Sequence, residues 1–451
     1  MTPDERLERR GERPGPLRTP VPAGPRDLFV GMDFYLSHPP GLGGVLKLHP
    51  ESFRVDEISR EPLPDPHGRF TAVRISAYDI EQNELVRRIA SWVGVPPASV
   101  RYAGTKDRRA VTTQMLTFPG PPERLQGIPL SGVEVREAYR TNEPLTLGHL
   151  YGNRFRIRLE RIPGEASRVQ ARFLEILEDL RSWGGFPNYF GPQRFGEIRP
   201  VTHLVGRALV QGDSGRAVDI YLAAESPAED DPAAEARRAY REHRDPARAL
   251  REYPSNLRYE RILLERQGRG AAPASALRAL PKPLRLLFVH AYQSYLFNRQ
   301  LSLRLKEGLP LDTAEPGDWV VPLSPDGLED GRRGIPVREE NLPEIRQLLA
   351  DHRARLALPL VGTGTPVLPG RTGDILRELL DAEGIRPESF HLRELPDLSS
   401  EGRYRSVLAR VPLGLEHHRA ISENGSSVLD LDFCLERGQY ATVLLREFRK
   451  E

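Results

Sequence analysis

Apolar and polar positions alternate along FRVDEI (Phe53 to Ile58) and TAVRISA (Thr71 to Ala77), the two-residue period of half-buried strands. The spacing then changes. Leu85, Ile89, Trp92 and Val93 fall on one face of a predicted helix, with Asn83 placed to cap its start and Gly94 to end it. SVRYAG and VTTQMLTF read as two strands joined by the short charged segment TKDRRA. In RFRIRLERI, Phe155, Ile157 and Leu159 take one side and Arg154, Arg156 and Arg158 the other. An amphipathic helix follows, burying Val169, Phe173, Ile176, Leu177 and Leu180 and closing at Gly184–Gly185.

The middle of the chain has another character. Residues 226–250 are rich in Ala, Arg, Asp and Glu with the period of an exposed helix, and RLLFVHAYQSYLFNRQLSLRL predicts a long helix with an aromatic face. From Pro310 to Gly370 the density of Pro and Gly predicts loops and short strands. Alternation returns in RSVLARV and in VLDLDFCLE, where Leu429, Leu431, Phe433 and Leu435 share a face. The simplest layout is a β-rich domain interrupted by a helical insertion, its last strands supplied by the C-terminus. No repeat of solenoid period is present.

Composition adds bounds. At 451 residues the chain exceeds what one compact core usually holds, so two domains are expected. No run of about 18 apolar residues predicts a membrane span. The first 27 residues read as a solvated Pro/Arg/Gly tail without the apolar core of a secretory signal. One cysteine, Cys434, excludes an intramolecular disulfide or a thiolate metal cluster and fits a reducing cytosol. The net charge of +2 says little, but its makeup is unusual: five lysines against 60 arginines. Two of the five, Lys47 and Lys106, lie inside the motifs below.

RYAGTKDRRAVTTQ (Arg101 to Gln114) holds Asp107 on a tight loop between strands, flanked by Lys106, Arg108 and Arg109. A carboxylate among cations stays ionised, which suits a nucleophile or anionic base. The same residues also describe a charged surface turn. In VLKLHPESFRVDEI, Glu57 shares the buried side of its strand with Phe53 and Val55, so its charge must be paired or hydrogen-bonded. Lys47 is a candidate partner for either Glu57 or Asp107. FPNYFGPQRFG (Phe186 to Gly196) sets Phe186, Tyr189, Phe190 and Phe195 among Asn188, Gln193 and Arg194. That composition suits base stacking and edge recognition if exposed, or a core plug if not. In GQYATVLLREF, Tyr440 starts a predicted helix that carries Arg446. LVGTGTP lacks the Gly-Lys-Ser/Thr of a phosphate loop, and His417–His418 lacks metal-pair spacing and reads as a turn, so neither a nucleotide nor a metal fingerprint is found.

Taken together, these four segments resemble the TruD family of pseudouridine synthases. The match rests on Ala103-Gly104-Thr105-Lys106-Asp107 with Ala110 and Gln114, on Asn188 to Gly196, on Lys47 with Phe53 to Glu57, and on Tyr440 to Glu447. The resemblance implies an α+β fold: a pseudouridine-synthase catalytic domain on a mixed, mainly antiparallel sheet, with an inserted α/β TRUD domain that serves RNA binding and selectivity. The expected boundaries are 28–206 with 395–451 for the catalytic domain and 207–394 for the insertion, after the tail of 1–27. It also implies that Asp107 is the catalytic aspartate, that Phe190 and Asn188 hold the target base, that Tyr440 stacks beside it, and that Lys47 pairs with Asp107. Glu57, Lys106, Arg194 and Arg446 take supporting places. The implied substrate is tRNA, at uridine-13, acted on by a cytoplasmic enzyme. Uridine isomerisation has no net redox change and no second substrate, so no cofactor or metal is expected. A monomer is the default expectation.

Two other classes fit parts of the pattern. One is an RNA-binding protein that keeps the fold without catalysis. The other is a glycoside hydrolase using Asp107 and Glu57, which needs two carboxyls about 5–9.5 Å apart across an open cleft.

Overall fold

A computed structural model of the chain describes residues 19–106, 109–127, 131–226 and 228–450. The chain divides into two compact units: Pro39–Phe186 with Ala409–Glu451, and Met1–His38 with Pro187–Leu408.

The first unit is built on an eight-stranded sheet. Its strands are β1 (Phe53–Ser59), β2 (Phe70–Tyr78), β3 (Arg101–Tyr102), β4 (Val111–Pro119), β5 (Val133–Thr141), β6 (Leu150–Ile162), β7 (Arg419–Glu423) and β8 (Ser426–Glu436). Their order is β7-β8-β6-β1-β4-β2-β5, with β3 paired to β4. Only β1 and β4 run parallel; the remaining pairs are antiparallel. The sheet is therefore mixed and mainly antiparallel, and the C-terminus supplies β7 and β8. The alternating pattern marked β8, whereas β7 carries no such signal and RSVLARV begins inside Arg403–Ser406, a strand in the sheet of the second unit.

Register explains why the alternation succeeded. Phe53, Val55 and Glu57 lie opposite Ile157, Phe155 and Asn153, which in turn lie opposite Leu431, Phe433 and Leu435. The buried face carries an aromatic ladder: Phe53 meets Phe155 edge-on at 6.0 Å, and Phe155 stacks on Phe433 at 5.6 Å. Such pairs contribute about 0.5–1.5 kcal/mol each beyond the area they bury. On the polar face Arg154 grips Asp432 with two hydrogen bonds, while Arg156 meets Asp56 and Arg158 meets Asp430. Exposed pairs of this kind contribute only about 0.2–1 kcal/mol each, so burial of the aromatic face dominates.

Three helices cover this unit. Helix α1 (Gln82–Val93) packs Leu85, Val86, Ile89 and Ala90 against Val73, Ile75, Leu116 and Phe118, with Trp92 partly buried at the margin. Its N-cap is Glu81, not Asn83. The Glu81 carboxylate accepts from the Glu84 backbone amide, and Asn83 donates to that same carboxylate. An acidic side chain and an asparagine can both cap a helix, and the start of α1 is set by where its apolar stripe meets the sheet. Helix α2 (Ala166–Ser182) buries the five residues expected, and Phe173 stacks on Phe448 of α3 (Ala441–Arg449) at 4.6 Å.

The second unit is helical around Lys282–Lys306, with an antiparallel four-stranded sheet of Ile335–Pro336, Trp319–Pro322, Ala354–Leu360 and Arg403–Ser406. The compact units change over at Phe186/Pro187 and Leu408/Ala409. Two packing arrangements accompany these change-overs. The helix Thr202–Val210 packs on Lys282–Lys306 so closely that a Cβ on Gly206 would collide with the Phe288 carbonyl, and Arg403–Ser406 pairs with Ala354–Leu360. The segment 226–250 also departs from the single exposed helix predicted. It forms Asp231–His243 and Pro246–Glu252, capped by Asp230 and Asp245, and Arg237 is buried between Glu229 and Glu260. LVGTGTP and His417–His418 are turns, closed by Gly362 N to Thr365 Oγ1 and by His417 N to the Gly414 carbonyl, each at 2.9 Å.

Candidate active site

The most chemically loaded segment of the sheet unit joins β3 to β4. Because Arg101 lies opposite Thr117 and Tyr102 opposite Leu116, the chain leaving β3 must travel back past Gln114 before β4 begins at Val111. Asp107 and Arg108 lie outside the described residues. Both flanks of Asp107 are described, and both are anchored. On the upstream side, Lys106 Nζ donates to Glu57 Oε2 at 2.5 Å, with side chains only 3% and 1% exposed. Glu57 Oε1 accepts from Ser59 Oγ at 3.0 Å and from the Met115 backbone amide at 3.4 Å. On the downstream side, Arg109 donates to the Leu48 carbonyl at 3.0 Å, and the Asp79 amide donates to the carbonyl of buried Ala110. Gly104 lets the loop pass Leu150, whose side chain would stand 2.8 Å from a Cβ there.

Burying Glu57 is tolerable because its charge is compensated and its lone pairs are hydrogen-bonded. From the sequence, Lys47 could partner either Glu57 or Asp107. Glu57 in fact takes Lys106. Lys47 itself is buried, adopts a left-handed backbone (φ 57°), and places its ammonium 4.5 Å from the centre of the Phe53 ring. The adjacent Leu48 is the residue that holds Arg109, so the Lys47 segment and the Asp107 loop are tied together.

Tyr440 enters the same unit by register. Glu57, Asn153 and Leu435 form one row across β1, β6 and β8. Beyond that row the chain turns through Gly438 (φ 83°), and Tyr440 becomes the N-cap residue of α3, its carbonyl accepting from Val443 and Leu444. The residue is half-buried. Arg446 is buried on α3 with its guanidinium 3.9 Å from the carboxylate of Glu447, itself fully buried.

In the helical unit the motif residues Asn188, Phe190 and Arg194 come together. Tyr189 and Phe195 are core residues, as is Phe186 in the sheet unit, so the core-plug reading holds for three of the four aromatics. Phe190 is also largely covered, at 6% exposure. Its ring lies between guanidinium groups, with Arg405 at 4.2 Å and Arg194 at 5.5 Å from its centre, and meets Phe297 edge-on. The Asn188 amide is fully engaged. It donates to the Ser406 carbonyl at 3.1 Å and Oγ at 2.9 Å, and accepts from Arg405 at 2.6 Å. Burial, with Arg194 and Arg403 nearby, pushes the His290 imidazole down to about 4. No group of three or more His, Cys, Asp or Glu suited to a metal ion occurs among the described residues, and none of their helices is long and apolar enough to cross a membrane.

A family model described as tRNA pseudouridine synthase D (TruD) matches residues 29–448. A probable tRNA pseudouridine synthase D from Thermococcus gammatolerans is 39% identical over 428 residues, covering 94% of this chain and 99% of the relative. Another, from Methanococcoides burtonii, is 35% identical over 424 residues, covering 93% and 96%. A solved structure from Methanosarcina mazei, described as a tRNA pseudouridine synthase D (TruD), superposes with a TM-score of 0.80 at 32% identity, over 95% of this chain and 98% of that one.

The chain belongs to the TruD family. It is an isomerase of the pseudouridine-synthase class, and its α+β architecture is that of a solved TruD structure. The sequence reading missed Arg405 and Ser406, which hold Asn188 from more than 200 positions away, along with Arg403 and His290. RSVLARV signalled only a strand. A pairing at that separation leaves no mark in local periodicity.

Proposed function

We propose that this TruD-family enzyme isomerises uridine-13 of tRNA to pseudouridine in the cytoplasm, with Asp107 as its ionised catalytic carboxylate. The observation that carries the reading is the anchoring of both flanks of Asp107, by Lys106 on Glu57 and by Arg109 on the Leu48 carbonyl. A carboxylate that must meet one carbon of a nucleotide needs a fixed backbone, since small misplacements are costly in rate. The reaction breaks the N-glycosidic bond, turns the uracil and joins its C5 to the same sugar carbon. Asp107 can take part as nucleophile or base only when ionised.

The target uridine has to leave its stack first, at a cost of a few kcal/mol. Tyr440 offers an aromatic face against that loss, an interaction of roughly 1–3 kcal/mol per base. Lys47 is assigned to Asp107 as its cation. In the helical unit Phe190 is the base-holding residue, and Asn188 acts by fixing the Phe190 loop, because its amide is already committed to Arg405 and Ser406. The sheet unit then carries the chemistry and the helical unit the selection of RNA.

The glycoside-hydrolase reading loses its second carboxylate. Glu57 is sealed from solvent and bound to a lysine, the opposite of an acid or base facing an open sugar cleft. Catalysis is tested by incubating purified protein with tRNA and mapping pseudouridine by carbodiimide-blocked primer extension. Wild type should produce a stop at position 13. Asp107→Asn should abolish it while tRNA affinity stays within a few-fold. Activity in that variant would overturn the assignment, and an inactive wild type that still binds tRNA would favour the non-catalytic RNA binder.

A further inference from the structure

Three elements of the helical unit converge beside Phe190. The turn Pro192–Arg194 places the Arg194 guanidinium 5.5 Å from the Phe190 ring centre and within 3.1 Å of Ser294 Oγ. The helix Lys282–Lys306 contributes Ser294 and, one turn earlier, His290, whose carbonyl accepts from that same Ser294 hydroxyl at 2.7 Å. The strand Arg403–Ser406 contributes Arg403 and Arg405. Residues two apart on a strand point to the same side, so Arg403 projects from the face on which Arg405 covers Phe190 at 4.2 Å.

The charges of this cluster are not balanced locally. Across the rest of the surface arginines are commonly matched with acids: Arg154 with Asp432, Arg74 with Glu61 and Glu137, Arg371 with Glu307. Neither Arg194 nor Arg403 has a carboxylate partner among the described residues. His290 reports the resulting field, since its imidazole is disfavoured as a cation by burial and by both arginines. Arg403 is exposed, and Arg194 and His290 are partly so. Two guanidinium groups without a carboxylate partner among the described residues lie with a neutral imidazole near the Phe190 ring.

We propose that Arg194 and Arg403, with His290 near both, form a binding site for an RNA phosphodiester next to the nucleotide held at Phe190. Guanidinium groups match phosphate oxygens in planar, bidentate geometry, and they retain their charge at any working pH. A carboxylate ligand would suit one arginine, whereas a phosphodiester offers oxygens to both. The site rests on the reading of tRNA as substrate, and it adds residues that none of the four sequence motifs contains, Arg403 and His290.

The test is tRNA binding by filter retention across a salt series, read independently of turnover. Removing one arginine that neutralises a phosphate should lower the slope of log affinity against log salt by about 0.7–0.9. Arg403→Ala should lose roughly one such unit and raise KM for tRNA several-fold with kcat little changed, and Arg194→Ala/Arg403→Ala should lose roughly two. Arg403→Lys should restore most of the slope. Arg333→Ala, a change at an exposed arginine paired with Asp330, is the control and should leave the slope intact. An unchanged slope in Arg403→Ala overturns the site, and so does tRNA binding that is insensitive to salt. Because binding is scored without product, an inactive wild type would count against the catalytic reading alone.

Discussion

The decisive residue-scale feature is a buried ion pair whose partners stand 49 positions apart, Glu57 and Lys106. Alternation along β1 showed that Glu57 faces inward, and electrostatics then required a partner. Which lysine would serve was not readable, because Lys47 and Lys106 satisfy the same chemical need. The fold decided it by carrying the β3–β4 loop back across the face that bears Glu57. Glu57→Gln should leave the Lys106 ammonium buried without its counter-ion and lower unfolding free energy by about 3–5 kcal/mol in urea denaturation. Glu57→Gln/Lys106→Met should recover most of that loss, since replacing both charges removes the desolvation problem. If the single variant is as stable as wild type, the pair does not anchor the Asp107 loop. Arg405 shows the other kind of residue. It holds Asn188 and covers Phe190, yet nothing in RSVLARV distinguished it from an ordinary strand arginine.

At the scale of elements, strands were the most legible because each has one wet face and one dry face. β1, β2, β6 and β8 all emerged close to their expected positions, with polar and apolar residues sorted by register. Helix ends were less legible. Glu81 and Asn83 are both competent to cap α1, and packing against the sheet chose the earlier one. The helix Thr202–Val210 carried no clear signal in the sequence, since its apolar stripe fits a sheet or a helix equally well. Gly206 holds the answer, because only a residue without a side chain permits its approach to the Phe288 carbonyl. Gly206→Ala should therefore force the two helices apart and cost about 1–3 kcal/mol, despite the better helix propensity of alanine. Thermal unfolding will show a lower midpoint; a raised one would mean that the close approach is dispensable.

At the scale of the whole molecule, stability should depend on acid through buried imidazoles. His203 sits among Phe29, Phe195 and Tyr295, and burial, aided by Arg207, pushes it from 6.5 down to about 4. In the unfolded chain it binds a proton as pH falls below 6.5, whereas in the fold it resists doing so until about 4. Stability is thus intact above pH 6.5 and declines on acidification towards pH 4, by on the order of 3 kcal/mol if the shift is fully expressed. His203→Phe should flatten that limb in unfolding measurements between pH 7 and 4; an unaltered slope would assign the acid sensitivity elsewhere. The sequence alone determined the α+β class, the return of the C-terminus to the sheet, and the four segments whose motifs resemble the TruD family. Each of these is written in local periodicity or in contiguous motifs. Only the tertiary structure decided which lysine Glu57 holds, where the compact units change over, and which arginines gather at Phe190. Those outcomes depend on side chains brought together from distant parts of the chain, where several residues of equal chemistry compete for one place and packing geometry selects among them.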